Sequence, residues 1–336
     1  MKKGAVKLAD IAAKTGYSVN TVSHALHDKQ DIAEETKIFI RKTAEEMGYI
    51  VNSSASFLRS GRSKSVAVIV GDISNPHFSI MIKEIEKALR IRGYTAFIFN
   101  TDENEEIERN AIRAAKSKNT DGIILCPVQK SEENINYLKT LALPYVLIGR
   151  HYDTAESAGY VVCDDKNSGY IAARHLIQNN HKNILFMNAP NYISSARERL
   201  AGIMYAAEQN GLPQSAVRVC EFPATMDGNP RRMAEILSAH AQCTAVICFS
   251  DFQAMQAVHI LKEMGKRIPE DISVIGFDNI ASKFYFPIML TSITSSKTKM
   301  SQSAVEMLLG RIEGAVQPQG IVLPTKLIKR ESTRKI

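Results

Sequence analysis

The sequence predicts an α/β chain: an N-terminal all-α helix-turn-helix domain, a short hinge segment, then a two-lobed body of doubly wound parallel sheets. Three observations predict it. Helical periodicity over Lys7–Tyr49 is broken by a tight glycine-containing turn, Thr15-Gly16-Tyr17. From Val66 onward, short runs rich in β-branched residues alternate with helical stretches, the pattern of parallel strands covered on both faces. About nine such runs exceed one compact sheet of ordinary size, so the body divides into two lobes with a cleft at the carboxyl ends of the strands.

Within the first part, Leu8, Ile11 and Ala12 repeat at helical spacing, and Ser18 is placed to cap a second helix, Val19–Leu26. A third helix, from Glu34 to about Met47, sets Ile40, Thr43, Ala44 and Met47 on one face. Its cap position is Ala33, weaker than serine by about 1 kcal/mol. The stretch from Asn52 to Gly61 has a capping asparagine, a stopping glycine and a serine-rich body too short to hold a helix by itself. These boundaries give residues 1–51 as the helix-turn-helix domain, 52–65 as hinge helix and linker, and 66–336 as the body.

In the body the predicted strands are 66–70, 96–100, 122–126, 145–148, 160–163, 184–187, 217–221, 245–249 and 273–277. Helical patterns start at Pro76, Glu105, Ser131, Lys166, Ser195, Asn229, Phe252 and Lys299. The lobes are expected at about 66–160 plus 290–320, and 161–289 plus the C-terminal end.

Composition limits the function. The 336 residues are 45% hydrophobic and 23% charged, the balance of a soluble globular protein, and no apolar run approaches the ~20 residues of a membrane span. No continuous apolar core follows the first lysines, so a cytoplasmic protein is expected. Residues 1–65 hold eleven Lys/Arg against seven Asp/Glu, so +4 of the net +7 sits in the first fifth of the chain. That asymmetry suits a nucleic-acid reader, and equally a solvated lysine-rich head. Cys126, Cys163, Cys220, Cys243 and Cys248 form no C-x-x-C pair and read as reduced, buried thiols. Phosphate-loop, dinucleotide, serine-hydrolase and zinc-protease motifs are all absent, which disfavours an enzyme, and no cofactor or metal is expected. Asp164-Asp165, between a strand and a helix, reads as a capping pair.

The stretches KLADIAAKTGYSVNTVSHAL, EETK with EEMGY, LRSGRS, DISNPHF, CDDKNSGYIAARHLI, ARERLAG, SVIGFDNI and LPTKLIKREST cover essentially the whole chain. Together they resemble the lactose-repressor (LacI/GalR) family of transcriptional regulators. The resemblance implies a body like periplasmic binding proteins, and a homodimer that binds a palindromic DNA operator under control of a small-molecule effector, a sugar or sugar derivative. The rival from another class is a sugar-binding receptor of the transport type; the basic head argues against it.

The resemblance puts Val19 and Asn20 at base edges. Asparagine can bond adenine bidentately and valine can contact a thymine methyl. Thr21, Ser23 and Tyr49 are implied at phosphates. His24 stands where the family usually has arginine, and the phosphate field would favour its protonated form, readable as operator affinity that tightens from pH 8 to pH 6. Leu58 occupies the family's minor-groove wedge position, with Arg59 beside it, although Val51 replaces the proline usual before Asn52. Ser18, Asn52 and Ala55 complete the implied DNA-binding set.

In the body the implied effector-binding residues are Asp72, His77, Phe78, Arg150, Arg199, Ser250, Asp251 and Asp278. Arg199 and Asp278 match the family's sugar-binding pair, a guanidinium fork and a carboxylate suited to vicinal hydroxyls. Gly149 stands where aspartate is common and Ser250 where asparagine is common. With acceptors lost and Arg150, Arg199 and His77 present, an anionic ligand such as a sugar acid or sugar phosphate is the expectation. No leucine heptad follows Lys329–Thr333, so dimers rather than tetramers are expected.

Overall fold

The computed structural model describes residues 6–50, 61–152, 159–223, 229–280 and 288–336. The chain divides into two units, Met1–Ser63 and Lys64–Ile336. Asn52, Ala55, Leu58 and Arg59 lie outside the described residues.

The first unit holds α1 (Leu8–Thr15), α2 (Val19–Leu26) and α3 (Glu34–Glu46). Helix α1 stops at Gly16, and Ser18 caps α2 by accepting from the Thr21 amide at 3.0 Å. Ala33 makes no side-chain cap at α3, and Glu34 and Glu35 in the first turn complement the helix dipole instead. Ile11, Ala12, Val22, Ala25, Ile40 and Ala44 form the buried core, with Met47 and Tyr49 packed against it.

The second unit is built on two six-stranded sheets. Strands β1 (Ser65–Val70), β2 (Thr95–Asn100), β3 (Gly122–Leu125), β4 (Tyr145–Ile148), β5 (Gly159–Cys163) and β11 (Gly320–Leu323) form the first, in the order β11-β5-β4-β3-β1-β2, all parallel. Strands β6 (Ile184–Asn188), β7 (Val217–Glu221), β8 (Ala245–Cys248), β9 (Ser273–Phe277), β10 (Thr291–Thr294) and β12 (Lys326–Ile328) form the second, in the order β12-β10-β9-β8-β6-β7. Only β12 runs antiparallel to its neighbour.

Helices α4 (Pro76–Ile91), α5 (Glu105–Ser117), α6 (Glu133–Thr140) and α11 (Lys297–Ile312) cover the first sheet, and α7 (Asp165–Gln178), α8 (Ser194–Gln209), α9 (Pro230–Ala239) and α10 (Asp251–Glu263) the second. Successive strand side chains alternate between faces. Val66, Val68 and Val70 of β1 pack under α4 and α11, while Ala67 and Ile69 pack under α5 and α6. Cys126, Cys163, Cys243 and Cys248 are free, buried thiols within these cores.

The sequence reading missed β10, β11 and β12, and its lobe limits shift accordingly. Strand β5 belongs to the first sheet through Cys163, β10 belongs to the second, and β11 returns to the first. The chain therefore crosses between lobes three times, after Cys163, Thr294 and Leu323. Among the described residues, no helix is long and apolar enough to cross a membrane.

Candidate functional site

In the first unit the residues expected at base edges lie at the exposed start of α2. Val19 is 47% exposed, away from the buried Val22 and Ala25, and Ser18 and Asn20 are exposed beside it. Thr21 is half-buried, its hydroxyl 2.9 Å from that of Ser18. Ser23, expected at a phosphate, is instead buried with Val22 and Ala25 on the packed flank of α2. His24 Nδ1 lies 2.6 Å from Asp31 Oδ2, a partner the sequence did not suggest.

In the second unit the site lies where strands of both sheets end. A cavity of about 70 Å³ is lined by His77 and Phe78 at the start of α4, Arg150 after β4, Arg199 on α8, Ser250 after β8 and Asp278 after β9. Asp72 and Asp251 do not line it. Asp72 turns back to accept from the Ser74 amide and hydroxyl, shaping its own loop. Asp251 is fully buried, accepting from the Ser292 hydroxyl at 2.6 Å and the Ile280 amide at 2.9 Å.

Helix–helix contact positions the second lobe's contribution. A Cβ on Gly169 would lie 2.0 Å from the Arg199 carbonyl oxygen and one on Gly202 1.8 Å from that of Lys166, so only glycine lets α7 and α8 approach this closely. The approach sets Asp165 Oδ1 at 2.7 Å from Arg199 Nε. Arg199 Nη1 donates to the Phe249 carbonyl, and the guanidinium faces the Phe249 and Phe277 rings at 4.7 and 4.3 Å. Nη2 has no hydrogen-bond partner among the described residues. Burial pushes the Asp165 carboxyl up to about 6 against the opposing pull of Arg199.

Across the cleft, Arg150 pairs with Glu103, Nη1 and Nη2 each 2.8 Å from a carboxylate oxygen, and Nη1 also donates to the Pro127 carbonyl. His77 Nδ1 lies 3.0 Å from Asp278 Oδ1. Burial raises the Asp278 carboxyl, but His77, Lys297 and Arg199 outweigh it and hold the group well below the usual carboxylate range.

This pairing weighs against the anionic-ligand expectation, because Arg150, Arg199 and His77 each lie beside a carboxylate. The sequence reading missed Glu103, Asp165 and Phe249 as lining residues. Asp164 is the helix cap, accepting from the Asn167 amide at 2.9 Å, while its neighbour Asp165 is the ion-pair partner. A signal was present: an aspartate just past the capping position is free to face the cleft. A larger open groove of about 710 Å³ flanks α7 and α8; among the described residues lining it, Lys166 and Glu208 are the charged ones.

Comparison with known proteins agrees with this division. Residues 7–52 match the family model described as bacterial regulatory proteins, lacI family, and residues 63–331 match that of periplasmic binding proteins and the sugar binding domain of the LacI family. The chain belongs to the LacI family. A Haemophilus influenzae HTH-type transcriptional repressor PurR is 30% identical over 337 residues, covering 98% of this chain and 99% of the relative. That of Aliivibrio salmonicida is 27% identical over 331 residues, covering 98% of this chain and 99% of the relative. A LacI family transcriptional regulator from Enterococcus faecium with bound ribose superposes with a TM-score of 0.72 at 28% identity, over 81% of this chain and 99% of that one. The Lac repressor dimer bound to operator and the anti-inducer ONPF shares the fold, with a TM-score of 0.86 at 21% identity over 98% of this chain and 100% of that one. This LacI family member is a DNA-binding transcriptional repressor with a small-molecule effector domain, and its relatives are repressors rather than enzymes.

Proposed function

We propose that the protein acts in the cytoplasm as a homodimer on a palindromic operator and that its effector is a neutral sugar held in the interlobe cleft. The charge balance of the cleft carries the effector reading. Among the described residues lining the cavity, Arg150, Arg199 and His77 each lie beside a carboxylate, that of Glu103, Asp165 or Asp278, which disfavours an anionic ligand. What remains for a ligand is one guanidinium Nη2, the hydroxyls of Ser195, Ser250 and Ser295, and the apolar surfaces of Phe78 and Phe249. Directional donors and acceptors beside ring faces suit a polyol.

Edge strands support the dimer. Strand β2 ends the first sheet with Phe97 38% and Ile98 42% exposed, and β7 ends the second with Val219 41% exposed. A second copy covering both edges would bury this apolar surface. On DNA, Val19 and Asn20 would read base edges, Thr21 and Ser18 would reach phosphates, and His24 would add a contact modulated by Asp31. Asn52, Ala55, Leu58 and Arg59 enter this reading through the family resemblance.

Selection of bound sequences from random DNA by the full-length protein at fixed salt, with and without neutral pentoses and hexoses and their acid and phosphate derivatives, tests the whole reading. The expected result is a palindrome with a central CpG-like step whose binding responds to a neutral sugar. An asymmetric site, no enrichment in any condition, or a response only to acidic derivatives would overturn it.

A further inference from the structure

Four residues outside the cavity join the two lobes at one place on the cleft rim. Gln129 follows β3, His151 follows β4, and Ser194 and Glu198 lie one turn apart on α8 of the opposite lobe. The Ser194 amide donates to Gln129 Oε1 at 2.9 Å, and the His151 amide donates to Ser194 Oγ at 3.2 Å. His151 Nε2 lies 2.7 Å from Glu198 Oε1. Gln129 Nε2 donates at 2.6 Å to the His151 carbonyl, so both ends of one amide are used and the two first-lobe loops act as a unit. The His151 ring stacks on Tyr160, centroids 4.9 Å apart.

None of these four side chains lines the cavity, whereas Ser195 and Arg199, each one residue further along α8, do. One helix thus carries a ligand-facing row and, about 100° around, a lobe-facing row. Gln129 is buried and holds φ at 69°, a left-handed conformation uncommon outside glycine, asparagine and aspartate, consistent with a residue fixed by both ends of its side chain.

We propose that Gln129, His151, Ser194 and Glu198 form an interlobe latch that favours the closed cleft without touching the effector, and so sets effector affinity through the closed fraction. A ligand that needs closed lobes binds more weakly by the factor by which that fraction falls. The affinity consequence rests on the cleft being the effector site; the latch itself does not.

Hydrogen–deuterium exchange on the full-length protein without any small molecule tests the latch directly. Ser194 opens α8, where an amide has no partner within the helix, so its protection reports Gln129. In Glu198→Ala, and separately in Gln129→Asn, which keeps a residue tolerant of the left-handed region, the Ser194 and His151 amides should exchange about tenfold faster while the β3 and β6 amides keep their protection. Unprotected Ser194 and His151 amides in the wild type, or unchanged exchange in both variants, would overturn the proposal. Acceleration spread through β3 and β6 would equally overturn it, showing a packing role instead. Calorimetric titration with the neutral pentoses and hexoses should then give about tenfold weaker binding in Glu198→Ala. Local deprotection with none of these sugars bound by the wild type would leave the latch standing and remove the neutral-sugar reading of the cleft.

Discussion

Each lobe brings one buried arginine–carboxylate pair to the cleft, and the two pairs are built differently. In the first lobe, Arg150 and Glu103 meet fork to fork, the arginine also holds the Pro127 carbonyl, and both side chains are under 9% exposed. A Cβ on Gly71 would come within 2.2 Å of Glu103 Oε1, so the backbone beneath the pair is cut away to admit it. In the second lobe, Arg199 meets Asp165 through a single Nε contact, lies against two phenylalanine rings, and keeps Nη2 unspent. A fork with both Nη groups tied to its own lobe braces that lobe; a fork with Nη2 left over can bind something else.

The sharpest way to break this contrast is to remove one side of the first pair. Glu103→Ala leaves the Arg150 charge buried without its partner and should destabilise the protein by about 3–5 kcal/mol, read by urea unfolding. A loss under about 1 kcal/mol would mean that the first pair is no brace. In the second pair the larger effect should fall on binding. Arg199→Lys keeps the charge but loses the planar fork, so the folded protein should bind the proposed neutral sugar at least about tenfold more weakly, ~1.4 kcal/mol by titration calorimetry. Unchanged affinity would put the ligand elsewhere.

The same contrast explains what the sequence disclosed. The head is legible because its contacts are local: one cap, one glycine stop and one 3.6-residue stripe define it. Strands β1 to β9 are legible from their short, mostly apolar runs. Strands β10, β11 and β12 are only four, four and three residues long, and two of them sit at sheet edges. Strand β11 pairs with β5, more than 150 residues earlier, and no local pattern announces such a partner. Arg199 and Asp278 were found through the family resemblance, and both line the cavity. Glu103 was not, since its place depends on a loop in which Asp102 and Glu103 both take positive φ. Asp72 and Asp251 were misplaced because a strand-end aspartate reads alike whether it turns to its own loop, to the core or to the cleft. The pairing that neutralises the cleft joins residues 47 and 34 positions apart, beyond the reach of spacing arguments.

A smaller effect separates the lobes by pH. Burial pushes the carboxyls of Glu108 in the first lobe and Asp251 in the second up to about 7. Each therefore holds its proton more tightly folded than unfolded. Folding takes up a proton between about pH 4 and 7, and stability falls as pH rises through that window. Asp251→Asn should flatten the fall between pH 5 and 8 with little loss at pH 8. Its amide oxygen still accepts from Ile280, and the Ser292 hydroxyl can turn to accept from the new NH₂. Glu108→Gln should flatten the profile too, but at a loss common to all pH values. The Glu108 oxygens accept from the Val128 amide and from Asn134 Nδ2, which is fixed as a donor by the Glu105 carbonyl, so one side of the new amide would face a donor it cannot accept from. Unfolding curves at pH 5 and pH 8 for the two variants give the comparison. Profiles parallel to wild type for both would mean that neither carboxyl takes up its proton on folding.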